Sequence, residues 1–252
     1  MQATLIVRHP KTAQLLVNFD REILLLIRET KCLMRTNVPV PEGARLVVLQ
    51  EMKFKSFYNS LTFVLRQYEH VLERIVPATA DMLKPHVHDM EKKLAPGLTT
   101  LTWTSMNIDG FLHSIHAGVG ALADLIEKVR DLVENRIDRN LKSVANLRLV
   151  ELPSDETYNL DKFVAVQERL IQSQALVAGA KNLEVEQAVH DLFTLIGEFP
   201  LRGEGVNKGQ QGLAAGVKPK DMARLRAHYS RMFYRAVLLA TKRALQEVPD
   251  DL

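Results

Sequence analysis

Ile115, Val119, Leu122, Ile126, Val129 and Val133 stand alternately four and three residues apart. That spacing keeps one apolar stripe on one side of an α-helix, as in the seam of a coiled coil. After Val133 the stripe steps by four twice, to Ile137 and Leu141, which moves it around the helix as a stutter does. Taken from Met106 to Leu147, the pattern predicts one helix of ~40 residues, roughly 60 Å long at 1.5 Å per residue. A compact globule of this size needs no such helix, whereas a rod-like bundle does. The expected class is therefore all-α, an elongated helical bundle built around this helix.

The stretches on either side fit that class, with one exception at the start. Thr4–Val7 and Leu15–Val17 favour extended structure around His9-Pro10-Lys11-Thr12, which predicts a short β-hairpin over residues 1–19. Asn18 or Asp20 then caps a helix with Glu22 at its positive end, carried by Ile23, Leu26, Ile27, Leu33 and Met34 as far as Arg35. Val38-Pro39-Val40-Pro41 stops it. Helical spacing resumes from about Ala44 to Ile75, and Pro77 and Pro85 bracket a bend before another helix reaches about Leu94. This makes a helical bundle of residues 20–95, then a joint loop at 96–105, then the long helix and further helices over 106–199. Leu149 to Asn159 is a connector around Pro153, followed by helices at about 160–179 and 183–198. Pro200, Pro219 and five glycines between them predict a flexible loop at 200–219. The last helix, within 220–252, sets Met222, Leu225, Tyr229, Met232, Phe233, Val237 and Leu245 along one side.

Composition excludes more than it suggests. Hydrophobic residues at 46% and charged residues at 25% suit a soluble globular chain, and the net charge of +3 does not imply nucleic acid or an anionic membrane as partner. No apolar run approaches the ~20 residues of a membrane span. Cys32 is the single cysteine, so no disulfide forms within the chain; its apolar helical surroundings predict a buried thiol in a reducing compartment. The start carries no cleavable signal pattern, and both ends read as cuts through a longer polypeptide.

Candidate chemistry is thin. Gly203 to Gly209 lacks the strand, the Lys-Ser/Thr pair and the helix of a phosphate loop. His86 and His88 are two apart and point in different directions on a helix, while His113 and His116 share a face without further ligands. Ser105, Asp109 and His113 are near one another in sequence, but no nucleophile elbow surrounds the serine. No catalytic, cofactor or metal residue is assigned.

Two structural candidates remain. In PGLTTLTWTSMNIDG, residues 96–110, Pro96 and Gly97 are expected to end one helix. The threonine hydroxyls then satisfy loose backbone groups, and Asn107 or Ser105 caps the next helix. Trp103 is the expected anchor, with its indole N–H seeking an acceptor. The last helix is strongly basic: Lys218, Lys220, Arg224, Arg231, Arg235 and Lys242 are the candidate docking residues, with Arg226 and Arg243 beside them. A solvated face is the ordinary reading; docking onto an acidic partner, a neighbouring subunit or a microtubule, is the functional one.

NFDREILLLIRETKCLMR (18–35), LQEMKFKSFYNSLTFVLRQYE (49–69), LKPHVHDMEKKLAPGLTTLTWTSMNIDGFLHSIH (83–116) and ENRIDRNLKSV (134–144) resemble the N-terminal tail, or stem, of outer-arm axonemal dynein heavy chains. The likeness runs closely through about residues 3–150 and more loosely through EVEQAVHDL (184–192) and the last helix. The resemblance implies a non-catalytic segment of a minus-end-directed microtubule motor whose ATP sites, linker and stalk lie far C-terminal, with no cofactor in this part. It implies partners among other heavy chains, intermediate and light chains, docking subunits and the doublet microtubule, and a place in the cytoplasm and cytoskeleton, at the axoneme of a cilium or flagellum. It gives no role to nucleic acid or membrane. The alternatives are a free-standing helical adaptor and, more remotely, an all-α enzyme using the Ser105/His113 region.

Overall fold

The computed structural model describes residues 3–150, 160–198 and 218–247. The expected connector beyond Val150 and the expected flexible loop up to Val217 lie outside the described residues, as do the last five positions. The described chain is helical apart from an N-terminal hairpin, and it forms two compact units: Met1–Ile75 with Lys84–Ile126, and Val76–Leu83 with Glu127–Leu252.

In the first unit β1 (Ile6–Arg8) pairs antiparallel with β2 (Leu15–Val17), Ile6 opposite Val17 and Arg8 opposite Leu15. The loop closes where the His9 N–H donates to the Gln14 carbonyl at 2.8 Å, with Ala13 at a φ of 57°. Leu5, Ile6 and Leu15 are buried while Val7 and Leu16 face out, so one face of the ribbon packs inward.

Helix α1 (Arg21–Arg35) takes Asp20 as its cap, whose carboxylate accepts from the Glu22 N–H at 2.9 Å. Its end is set before the prolines act. Asn37 sits at a φ of 55°, the Val38 N–H reaches the Leu33 carbonyl at 3.0 Å, and the Asn37 N–H reaches that of Met34 at 3.4 Å. This is a Schellman ending, with asparagine in the left-handed position. Cys32 is exposed, contrary to the buried thiol expected, because α1 turns only Ile27 and Thr30 fully inward.

The helix expected over 44–75 is two: α2 (Glu42–Leu49) and α3 (Glu51–Glu73), parted at Gln50 with φ −84° and ψ −1°. Helix α3 buries Phe54, Phe57, Leu61, Val64, Leu65 and Tyr68. After a 3-10 turn at Pro77–Thr79, α4 runs from Ala80 to Thr99 through both Pro85 and Pro96. Then α5 (Ile108–Asp131), a π-turn (Leu132–Asp138) and α6 (Arg139–Ala145) follow without interruption. The expected long helix is present, and the π-turn falls where the apolar stripe shifts. A wider turn takes up the extra residue, so Val133, Ile137, Leu141 and Val144 are all buried.

In the second unit α7 (Leu160–Glu198) is one helix where two were expected. Gly179 has open space around it, and a lone glycine costs only about 1 kcal/mol against alanine. Side-chain links from Lys181 to Glu184 and from Asn182 to Glu186 bridge the suspected break. Only the C-terminal part of α7 is buried, through Val185, Ala188, Val189, Leu192, Phe193 and Ile196. Helix α8 (Pro219–Glu247) starts on proline, which suits a first helical position, and packs on α6.

Two buried tyrosines tie stability to alkaline pH. Burial pushes the Tyr68 hydroxyl up to about 12, with Glu91 adding to the effect, and burial pushes Tyr229 up to about 12 as well, with Asp138 adding. The unfolded chain ionises these groups near 10, so it binds fewer protons than the folded one above that pH. Stability should therefore be intact below pH 10 and fall between about 10 and 12, by on the order of 1–2 kcal/mol per tyrosine. Urea midpoints measured across that range should fall less steeply in Tyr68→Phe and Tyr229→Phe.

Candidate joint and partner-docking surface

The joint is built on hydrogen bonds between segments far apart in sequence. Trp103 is buried, and its indole N–H donates to the Asn18 carbonyl at 2.7 Å. Its ring centroid is 4.5 Å from that of Phe19, which makes edge contacts with Phe54 at 6.3 Å and Tyr58 at 6.2 Å. The Leu5 N–H donates to the Leu101 carbonyl at 3.0 Å, Thr4 bridges Thr102, and the Asn18 side-chain amide donates to the Thr4 carbonyl at 3.1 Å. Residues 101–103 are thus stitched to both ends of the hairpin. Beside the aromatic cluster lies a mainly apolar recess of about 430 Å³ lined by Phe19, Leu24, Ile27, Phe54 and Tyr58, with the charged Glu51 and Lys55 also lining it.

The threonines act as the sequence suggested. Thr99 and Thr100 hydroxyls donate to the Ala95 and Pro96 carbonyls at 2.9 and 3.2 Å, the latter also accepting the Thr100 and Leu101 N–H groups at 3.0 and 2.8 Å, so the hydroxyls turn back onto the last turn of α4. The Thr102 N–H donates to Ser105 Oγ at 3.0 Å. Asn107 stands at the cap position of α5, with its side-chain oxygen over Gly110.

Pro96 and Gly97 do not break the helix, which corrects the expectation for both. Pro96 is exposed, so water can serve the carbonyl one turn earlier that proline cannot bond. Gly97 is buried, and a Cβ there would lie 2.6 Å from Phe111 Cζ and 2.8 Å from Ile6 Cδ1. Its role is close approach, with the helix intact.

On α8 and just ahead of it, all six candidate docking residues are exposed. The helix's own unit uses some of its cations. Arg224 pairs with Asp81 at 2.7 Å, Arg226 lies 5.3 Å over the Phe193 ring, and Arg243 donates to Asn146 Oδ1 at 2.8 Å. Among the described residues, Lys218, Lys220, Arg235 and Lys242 have no ion-pair partner. Leu245, expected on the packed side, is exposed, as are Tyr234 and Leu238; these three apolar positions on the solvent side were missed, because a count of apolar residues does not say which of two faces is covered.

The other candidates are dispersed. Ser105 Oγ accepts from Thr102, Asp109 pairs with Lys53 at 3.5 Å, and His113 is exposed on α5. His86 is buried while His88 is exposed beside Glu91 at 3.7 Å. Among the described residues no three His, Cys, Asp or Glu side chains come together as a metal site, and no helix is long and apolar enough to cross a membrane.

A helical segment with an N-terminal hairpin and an internally stitched joint defines a structural class. Known proteins narrow it. Residues 1–111 match the family described as dynein heavy chain, N-terminal region 1. The dynein gamma chain of the flagellar outer arm of Chlamydomonas reinhardtii is 41% identical over 98% of this chain and 5% of its own length. Axonemal dynein heavy chain 5 of Mus musculus is 34% identical over 78% of this chain, and axonemal dynein heavy chain 8 of Homo sapiens 33% over 77%, each over 4% of its own length. The chain belongs to the axonemal dynein heavy chains and corresponds to their N-terminal region. It spans about one twentieth of the length of the curated relatives it matches.

Substitutions at two positions separate anchor from close approach. Trp103→Ala should lower unfolding free energy by about 3–5 kcal/mol, while Trp103→Phe keeps a ring and loses mainly the bond to Asn18, about 1 kcal/mol. Gly97→Ala should destabilise by about 1–3 kcal/mol through overpacking against Phe111, despite alanine's better helix propensity. Denaturant midpoints measure all three; a stabilised Gly97→Ala protein would sink the close-approach reading.

Proposed function

We propose that this chain is a non-catalytic structural and assembly segment in the tail of an outer-arm axonemal dynein heavy chain. In this reading it lies in the cytoskeleton of the cilium or flagellum, within a microtubule minus-end-directed motor. It scaffolds the association of heavy, intermediate and light chains and helps anchor the motor to the doublet microtubule. The observation that carries the reading is the 41% identity to a flagellar outer-arm heavy chain over 98% of this chain; family membership favours a tail segment over a free-standing adaptor.

The distribution of apolar surface supports a scaffold. Leu24 and Leu25 on α1, Leu46 and Leu49 on α2, and Leu160, Ile171 and Leu176 on α7 are all exposed. Exposed apolar side chains in such number suit a chain that meets other polypeptides along its sides. Close-packed helices also resist compression, which is what a segment that transmits force needs.

Deleting residues 1–252 from the parent heavy chain should leave ATP turnover by the motor unchanged and remove outer arms from axonemes, as seen by electron tomography. Normal arms on the deleted chain would refute the assembly role. ATP hydrolysis by the purified 252-residue chain, abolished by Ser105→Ala, would refute the non-catalytic one.

A further inference from the structure

Helix α8 has two seams. One is spent within its own unit, through Leu225, Tyr229, Ala236, Ala240 and Ala244. The other points to solvent. Starting at Lys220, steps of four and three pass through Arg224, which is exposed but already paired with Asp81, and then Ala227 and Arg231, both exposed. The same steps continue through Tyr234, Leu238, Thr241 and Leu245, again all exposed. This second seam is unbroken for about 37 Å at 1.5 Å per residue.

Its chemistry is graded along the helix. The first half is cationic, and the second half is apolar with Arg235 and Lys242 beside it. Tyr234, Leu238 and Leu245 expose 64%, 49% and 73% of their surface. No aspartate or glutamate occurs between Met222 and Gln246, so the helix supplies no anions of its own along this seam.

We propose that this outward seam of α8 docks an acidic amphipathic α-helix, a proposal that rests on the scaffold reading and names the partner chemistry of one of its surfaces. Steps of four and three are what the knobs and holes of a second helix require. Carboxylates on that helix face Lys220, Arg231, Arg235 and Lys242, and its apolar residues cover Tyr234, Leu238 and Leu245. A disordered polyanion would neutralise the cations and leave the apolar half in water, and nucleic acid would do the same. Charge complementarity therefore selects an anion, and the seam selects its shape.

The full 252-residue chain tests this with a labelled four-heptad synthetic helix carrying leucine at its core positions and glutamate at its flanks. Its glutamates repel one another, so it pairs poorly with itself. It should bind, and oligo-glutamate of equal charge should bind at least about tenfold more weakly. Leu238→Ser with Leu245→Ser, and separately Arg235→Glu with Lys242→Glu, should each weaken binding about tenfold. All four side chains are exposed, so circular dichroism should be unchanged. Equal binding of oligo-glutamate, indifference to the leucine pair, or no binding of the helix overturns the proposal.

Zero-length carbodiimide crosslinking of native axonemal extract supplies the second arm. Lys220 and Lys242 should join carboxylates of one helical segment of a partner. Links to arm subunits from other lysines alone would overturn the α8 proposal and leave the scaffold reading standing. No intersubunit links anywhere would count against both.

Discussion

Continuous burial along one helical path, from Ile108 through Ile115, Leu122, Val129 and Ile137 to Val144, is the constraint on which the other elements depend. A straight α-helix cannot keep a strict seven-residue stripe on one side indefinitely, because its turn is 3.6 residues. Here the mismatch is absorbed in seven residues of π-helix. Within the second unit, α6 can then offer Leu141 and Val144 to the interior while Arg136, on the π-turn, reaches Asp191 on α7. Gln187 and Arg136 together hold the Asp191 carboxyl below its usual range.

Residues 96–110 look like chemistry because the end of a helix within a bundle needs polar atoms. Each unmade backbone hydrogen bond in a dry place costs as much as a lost one. The threonines, Ser105 and the indole nitrogen answer specific backbone groups, and once those pairings are drawn the stretch is accounted for as structure. Among the described hydrogen bonds, the polar atoms of this stretch serve as caps and stitches around one aromatic anchor.

The elements that sequence revealed were those defined by period: the hairpin, α1, the long helix and α8. The stutter after Val133 signals only a shift of the seam; the structure places a π-turn there. Misreadings arose where tertiary context decided the sign of a local signal. Proline at 96 was tolerated because that side of α4 meets water. The break at Gln50 had no punctuation to announce it, and the Lys181–Glu184 and Asn182–Glu186 links carried α7 past an apparent gap. The partner of Trp103 was invisible for a different reason: a backbone carbonyl, here that of Asn18, leaves no trace in residue identity. Cationic residues on α8 were legible as a cluster, while their internal partners Asp81 and Asn146 lie far away in sequence and could not be read from it.

Gly97 has a consequence for descent within the family. A proline-glycine pair ordinarily marks freedom of the chain, yet this glycine is closely packed, held between Phe111 and Ile6. A heavy chain with a side chain at this position keeps the packing only where the outer atoms of residues 111 and 6 shift or give up volume, so the three positions are read best as one local shape.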